Sequence, residues 1–217
     1  DMVGAFTGAS GDMLGECMGV GHPTYTANKD AYYVSLMVYG TKAMKNDTVR
    51  FRLYDASTGH VYPLTEVSKP VTFIPDGDFG TTGEPVIWSN MDKLLQTISL
   101  VPGCNWISLY LNPMNPEITQ LFSPIDNQID SIEDAPDVSF RYREGRWNGV
   151  ATIKPGQMIK VTMNDAAVLP VIGDAVKPGD YPVTIAPNGS TWVGVPSSTY
   201  MTIDEAFANI SPVEGDK

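Results

Sequence analysis

Val49-Arg50-Phe51-Arg52-Leu53-Tyr54 places Val, Phe and Leu on one side of an extended chain and Arg, Arg and Tyr on the other. Side chains alternate across a strand with a period of two, so this hexapeptide predicts a half-buried β-strand. Working outward from it, 2–7, 15–20, 31–39, 61–65, 71–74 and 85–88 are similar short apolar runs bounded by Gly, Asn, Asp or Pro. The run 31–39 is apolar on both faces and predicts a central strand. Seven short strands at this spacing predict a β-sandwich over residues 1–96.

The pattern changes near Ile98. Residues 98–101 and 106–111 suggest a hairpin around Pro102-Gly103. Ile118, Leu121, Phe122 and Ile125 then stand at i, i+3, i+4 and i+7, the single apolar stripe of one helix, with Asn115-Pro116 as its cap and first position. Strands at 139–143 and 147–153 follow, joined by Glu144-Gly145, and another at 157–163 after Pro155-Gly156.

From Tyr181 the order repeats. Val183-Thr184-Ile185-Ala186-Pro187 and Trp192-Val193 echo Ile98-Ser99-Leu100-Val101-Pro102 and Trp106-Ile107. A second helix, with Ile203, Phe207 and Ile210 on one face, opens on the capping box Thr202-Ile203-Asp204-Glu205, and Ser211-Pro212-Val213 matches Ser123-Pro124-Ile125. The fold class expected is therefore mainly β: tandem Ig-like sandwich modules with one short helix in each Trp-Ile repeat. The divisions are 1–96, 97–180 and a truncated repeat at 181–217. Both ends look like cuts through a longer polypeptide, and Ile203, Phe207 and Ile210 are expected to pack on the preceding module or a partner copy.

Composition narrows the function classes. The 217 residues carry a formal charge of −11, and their 14 basic residues form no patch, so a nucleic-acid backbone is repelled. No apolar run is long enough to span a membrane. Cys17 and Cys104 form no C-x-x-C pair, which argues against a zinc or thioredoxin-type site. They are either two separate buried thiols or, outside the cell, a disulfide.

Asp1-Met2-Val3-Gly4-Ala5-Phe6, Gly15-Glu16-Cys17-Met18-Gly19-Val20, Val38-Tyr39-Gly40, the strand at 49–54 with Asp55-Ala56, and Gly59-His60-Val61-Tyr62 resemble a module of long exported proteins from Bacteroidetes and similar bacteria. Val101-Pro102-Gly103-Cys104-Asn105-Trp106-Ile107-Ser108, with Trp147-Asn148-Gly149 and Lys154-Pro155-Gly156, resembles the "GWNWIS" module that often follows it. Met18 stands where the first pattern has Arg, and Cys104 replaces the first Trp of the second. The resemblance implies export and architecture, and a secreted or cell-surface location. It carries no chemistry.

Side chains capable of chemistry are sparse. His22 and His60 are the only histidines, each beside a turn. Gly8-Ala9-Ser10-Gly11-Asp12 lacks the spacing of a nucleophile elbow. Asp126, Asp130, Glu133, Asp134 and Asp137 suggest a solvated acidic loop. Hard oxygen ligands suit calcium, and Asp76, Asp78 and Glu84 form one candidate site, with Glu133, Asp134 and Asp137 a second. No other cofactor is expected. Trp106 and Trp192 are expected in cores. Trp147, with Tyr142 across its hairpin, and Trp88 are the candidate ligand-facing aromatics, since flat rings suit sugar faces.

The expectation is a non-catalytic structural or adhesive module of a larger secreted or surface protein. Its partners would be neighbouring modules of the same polypeptide, a glycan or a surface protein. The alternative is a carbohydrate-binding module attached to a secreted glycan-degrading enzyme, favoured if Tyr142 and Trp147 form an exposed coplanar pair.

Overall fold

A computed structural model describes residues 1–7, 15–65, 67–88, 92–135, 138–182, 191–199 and 201–208. The chain is mainly β, with several antiparallel sheets. Its first part contains β1 (Met2–Thr7), β2 (Glu16–Gly21), β3 (Thr24–Thr26), β4 (Ala31–Tyr33), β5 (Arg50–Asp55) and β6 (His60–Leu64). Four of them form a sheet in the order β2-β1-β5-β6, while β3 and β4 form a separate hairpin.

The alternation in β5 sets the faces of this sheet. Phe51 lies opposite Ala5 and Leu64, and Leu53 opposite Val3. Together with Met18, Val49, Val71 and Phe73 they build a first core. On the reverse face the Arg52 guanidinium lies 3.9 Å from the centre of the Phe6 ring, a cation–π contact.

The central strand expected at 31–39 stops at Tyr33. Beyond it the chain runs beside β2 without a regular ladder, held by the Tyr39 N–H donating to Met18 O at 2.8 Å. Val34, Leu36 and Val38 turn toward the core, while Met37 and Tyr39 are exposed. Only one face is covered, so apolar residues on both faces did not make this segment central. The strands expected at 71–74 and 85–88 are single bridges, Thr48 with Thr72 and Val67 with Trp88. The described residues of this part thus form one four-stranded sheet and one hairpin; five of the seven expected runs coincide with or overlap strands, and two are bridges.

The second part adds β7 (Leu94–Leu100), β8 (Gly103–Ser108), β9 (Leu111–Pro113), α1 (Ile118–Leu121), β10 (Ile129–Ala135), β11 (Val138–Arg143), β12 (Arg146–Trp147), β13 (Met158–Met163) and β14 (Ala167–Ala175). Two sheets result, β12-β11-β10-β13-β8 and β7-β14-β9. Leu100, Leu169 and Val171 from the smaller sheet meet Ile107, Ile132, Ile159 and Val161 from the larger in one core. The expected hairpin between β7 and β8 is absent, because the two strands belong to different sheets. The chain turns the corner at Gly103, with φ +93°. There the Asn105 side chain accepts from Val101 N–H at 3.0 Å and donates to Val101 O at 2.8 Å.

All four stripe residues, Ile118, Leu121, Phe122 and Ile125, are buried in the second core. The helix starts later than expected, after Glu117, and continues as a 3-10 turn over Ser123–Gln128. Its first N–H is satisfied by a strand-like contact instead of a cap: Ile118 donates to Ala151 O at 2.9 Å, and Ile153 to Pro116 O at 2.8 Å. The strand expected at 147–153 shrinks to β12. Conversely, β14, nine residues with Pro170 within it, answers to no strand expected from the sequence. At Pro170 the strand is paired only with β7, as β9 joins it at Gly173–Ala175. Proline is tolerated where a strand has one open side.

The third piece packs on the second. Val193 bridges to Gln157, Gly194 N–H donates to Gly156 O at 2.9 Å, and the Ser108 hydroxyl donates to Val195 O at 3.3 Å. A one-turn helix, α2 (Ile203–Ala206), carries the expected capping box: Glu205 N–H donates to Thr202 Oγ1 and Thr202 N–H to Glu205 Oε2. Its apolar face is in solvent, however, with Ile203 77% exposed and Phe207 also exposed. Ile203 therefore does not make the expected packing on the preceding module. Ile210 and the repeat residues 183–187 and 211–213 lie outside the described residues. Cys17 and Cys104 are free and exposed, neither bridged nor buried as expected. Among the described residues no helix is long and apolar enough to cross a membrane.

Candidate functional site

The turn between β11 and β12 holds Glu144 at φ +52° and Gly145 at φ +77°. Two successive left-handed residues make the tight turn that matches strand twist, and the resulting register sets Tyr142 directly opposite Trp147. Their ring centres lie 5.4 Å apart with planes inclined by 59°. Asn148 closes the turn by accepting from Arg141 N–H at 2.7 Å and donating to Arg141 O at 3.1 Å.

Beside this pair lies an open groove of ≈ 640 Å³, lined by Thr119, Asp126, Tyr142, Arg146, Trp147 and Asn148 among others. Asp126 comes from the 3-10 turn that follows α1, so the groove joins the helical connection to the sheet edge. Tyr142 has its phenol pKa raised, first by desolvation and then by the charge and hydrogen bond of Asp126. Trp147 packs against the second core, and its Nε1 is buried without a hydrogen-bond partner among the described residues. The groove therefore offers a phenol, a carboxylate, a guanidinium and an amide, while the indole N–H is closed to solvent. These groups can hold a polar ligand by hydrogen bonds. The inclined, half-buried rings do not make the coplanar platform on which the sugar reading rested.

The other candidates lie apart from it. Trp88 packs on the first core, 5.0 Å from Phe51 and tilted by 56°. Asp76, Asp78 and Glu84 are exposed. Asp76 sits at φ +58°, and Gly77 N–H closes a turn on Ile74 O. Among the described residues no group of three or more His, Cys, Asp or Glu could hold a metal ion, so these three side chains do not converge on a calcium. Glu133 is engaged by Lys160 at 3.0 and 3.2 Å, and Asp137 lies outside the described residues. Asp130 accepts from Arg141 and Arg143 at 3.0 and 2.5 Å, which holds its carboxyl below the usual range, Arg143 contributing most. His22 Nδ1 lies 3.2 Å from Asp1 O. His60 is the first residue of β6, edge-on to Tyr62.

Trp106 departs most from expectation. Its strand context predicts burial in a core, yet it is 51% exposed. On β8 the inward residue is Ile107, so the alternation sends Trp106 outward. There it meets Trp192 edge-to-face, with ring centres 4.8 Å apart and planes at 81°. The apolar neighbours that suggested burial belong to the opposite face of the strand. The period-two pattern of Asn105-Trp106-Ile107 was the available signal.

No protein-family model, curated protein or solved structure matches the chain.

Proposed function

We propose that this chain is a non-catalytic adhesive or structural part of a larger secreted or cell-surface protein. Residues 1–96 and 97–180 would be two β-rich modules, with the boundary moved to before Leu94 because β7 (Leu94–Leu100) is one strand paired with β14, and 181–217 the start of a repeat of the second. One observation carries the adhesive reading. Between Tyr25 and Tyr39 the first part holds four large side chains in solvent: Tyr25, Tyr32, Met37 and Tyr39, with Tyr32 73% exposed. Tyr25 and Tyr32 pair on the β3–β4 hairpin with ring centres 5.3 Å apart. Tyrosine presents a large contact area with a polar tip and dominates binding surfaces. The first core draws on residues 3–73 and the second on residues 100–171, which suits a division into modules.

Beads coated with the chain, presented to immobilised proteins and polysaccharides, test this reading. Retention on at least one matrix, weakened by Tyr32→Ser and without release of new reducing sugar ends, is expected. Absence of retention on every matrix, or release of reducing ends, would count against it.

The carbohydrate-binding alternative keeps one supporting observation, the polar rim of the groove beside Tyr142 and Trp147. A glycan array run with calcium and with EDTA, repeated on Trp147→Ala, discriminates. Binding lost in the variant would favour the alternative.

A further inference from the structure

On the outer face of the five-stranded sheet, the register sets Trp106 of β8 opposite Lys160 of β13, and Lys160 opposite Glu133 of β10. One row of three side chains thus crosses three strands, roughly 10 Å at the usual strand spacing. The Lys160 ammonium holds both carboxylate oxygens of Glu133, at 3.0 and 3.2 Å. It stands 6.0 Å from the centre of the Trp106 ring. Trp192 braces Trp106 from the side in a T-shaped contact, and with the Lys160 ammonium over the ring the indole is still 51% exposed.

A half-exposed indole bordered by a fixed donor and acceptor is complementary to a pyranose. The C–H face of the sugar stacks on the ring, and hydroxyls at its rim accept from the ammonium and donate to the carboxylate. The ion pair is internally neutral and the chain carries −11, so no unpaired cation in the row favours an acidic sugar, and the overall field repels one. We propose that Trp106, Lys160 and Glu133 form a binding subsite for a neutral pyranose residue of a glycan, with Trp192 as a positioning residue. The proposal rests on the adhesive reading and gives it a ligand class. Its site lies at the β8 side of the sheet, whereas the Tyr142–Trp147 groove lies at the β12 side.

The test is titration of the chain with cellohexaose, xylohexaose, mannohexaose and maltohexaose, with polygalacturonate as the acidic comparison, followed by calorimetry. Saturable binding to at least one neutral oligosaccharide is expected. Trp106→Ala and Lys160→Met should each weaken it by roughly tenfold or more. Trp106→Phe, which keeps a ring against Trp192, should lose less than Trp106→Ala. Should Trp106→Ala fail to fold, as judged by circular dichroism, Lys160→Met and Trp106→Phe decide. No saturable binding to any of the four, preference for polygalacturonate, or binding that survives Trp106→Ala but not Trp147→Ala overturns the proposal. Bead retention on a protein matrix that persists in Trp106→Ala, with no sugar binding, would remove this subsite and leave the adhesive reading intact.

Discussion

The Asp55 carboxylate closes the turn from β5 to β6. It accepts from the Ser57 hydroxyl at 2.7 Å, the Thr58 hydroxyl at 2.9 Å and the Ser57 N–H at 2.9 Å. These bonds, the Ser57 hydroxyl foremost, hold its pKa down to about 2 from an ordinary 3.8. A group with a depressed folded-state pKa contributes stability that is fully present above its unfolded value and is lost as pH falls through the folded one. Urea midpoints of the parent should therefore decline between about pH 4 and about pH 2, and those of Asp55→Asn should decline less over that window. Gly19 carries a different constraint. A Cβ there would lie 2.0 Å from Met37 O, a backbone atom. Gly19→Ala must push the 34–40 segment off β2, and urea unfolding should show a loss of about 1–3 kcal/mol, as for other overpacked sites. No loss would mean that this segment moves freely.

At the scale of elements, the two helices have the same type of apolar stripe and opposite fates. Phe122, at the end of α1, is wholly buried, whereas Ile203 of α2 is in solvent. Phe122→Ala should cost about 3–5 kcal/mol in urea unfolding, the range for a large side chain removed from a core. Ile203→Ala should stay within about 0.5 kcal/mol. A large cost at Ile203 would mean that α2 is covered in solution, by a second copy or another part of the chain. The difference arises from what surrounds each helix. α1 is flanked by chain that pairs at 151–153 and by two sheets, while α2 has its cap and little else among the described residues.

At the scale of the whole molecule, two cores are strung along one chain. The Lys93 ammonium meets Asp174 at 2.6 Å and ties the start of β7 to the end of β14. A groove of ≈ 510 Å³ at the junction is lined by Pro63 and Thr65 on one side and by Pro113, Met114, Pro124 and Pro170 on the other. Independent cores should open independently. Phe51→Ala should therefore speed hydrogen exchange in β1, β5 and β6 while leaving β10 and β13 unchanged. Faster exchange in both cores would show that the two halves fold as one unit.

Local pattern was sufficient wherever one face of an element decided its fate. The alternation of Phe51 and Leu53, the stripe from Ile118 to Ile125, the Glu144-Gly145 turn and the Thr202–Glu205 capping box are all legible in the sequence, because each is fixed by neighbours within a few residues. The juxtaposition of Tyr142 and Trp147 followed from that turn, but the Asp126 rim of their groove came from a distant segment. Tertiary pairing decided the rest. β7 and β8 part into different sheets because their partners are β14 and β13, and Pro170 is admitted to β14 because that strand lacks a second neighbour there. These outcomes depend on which strand lies alongside and which face it leaves uncovered, and no short stretch of sequence contains that information.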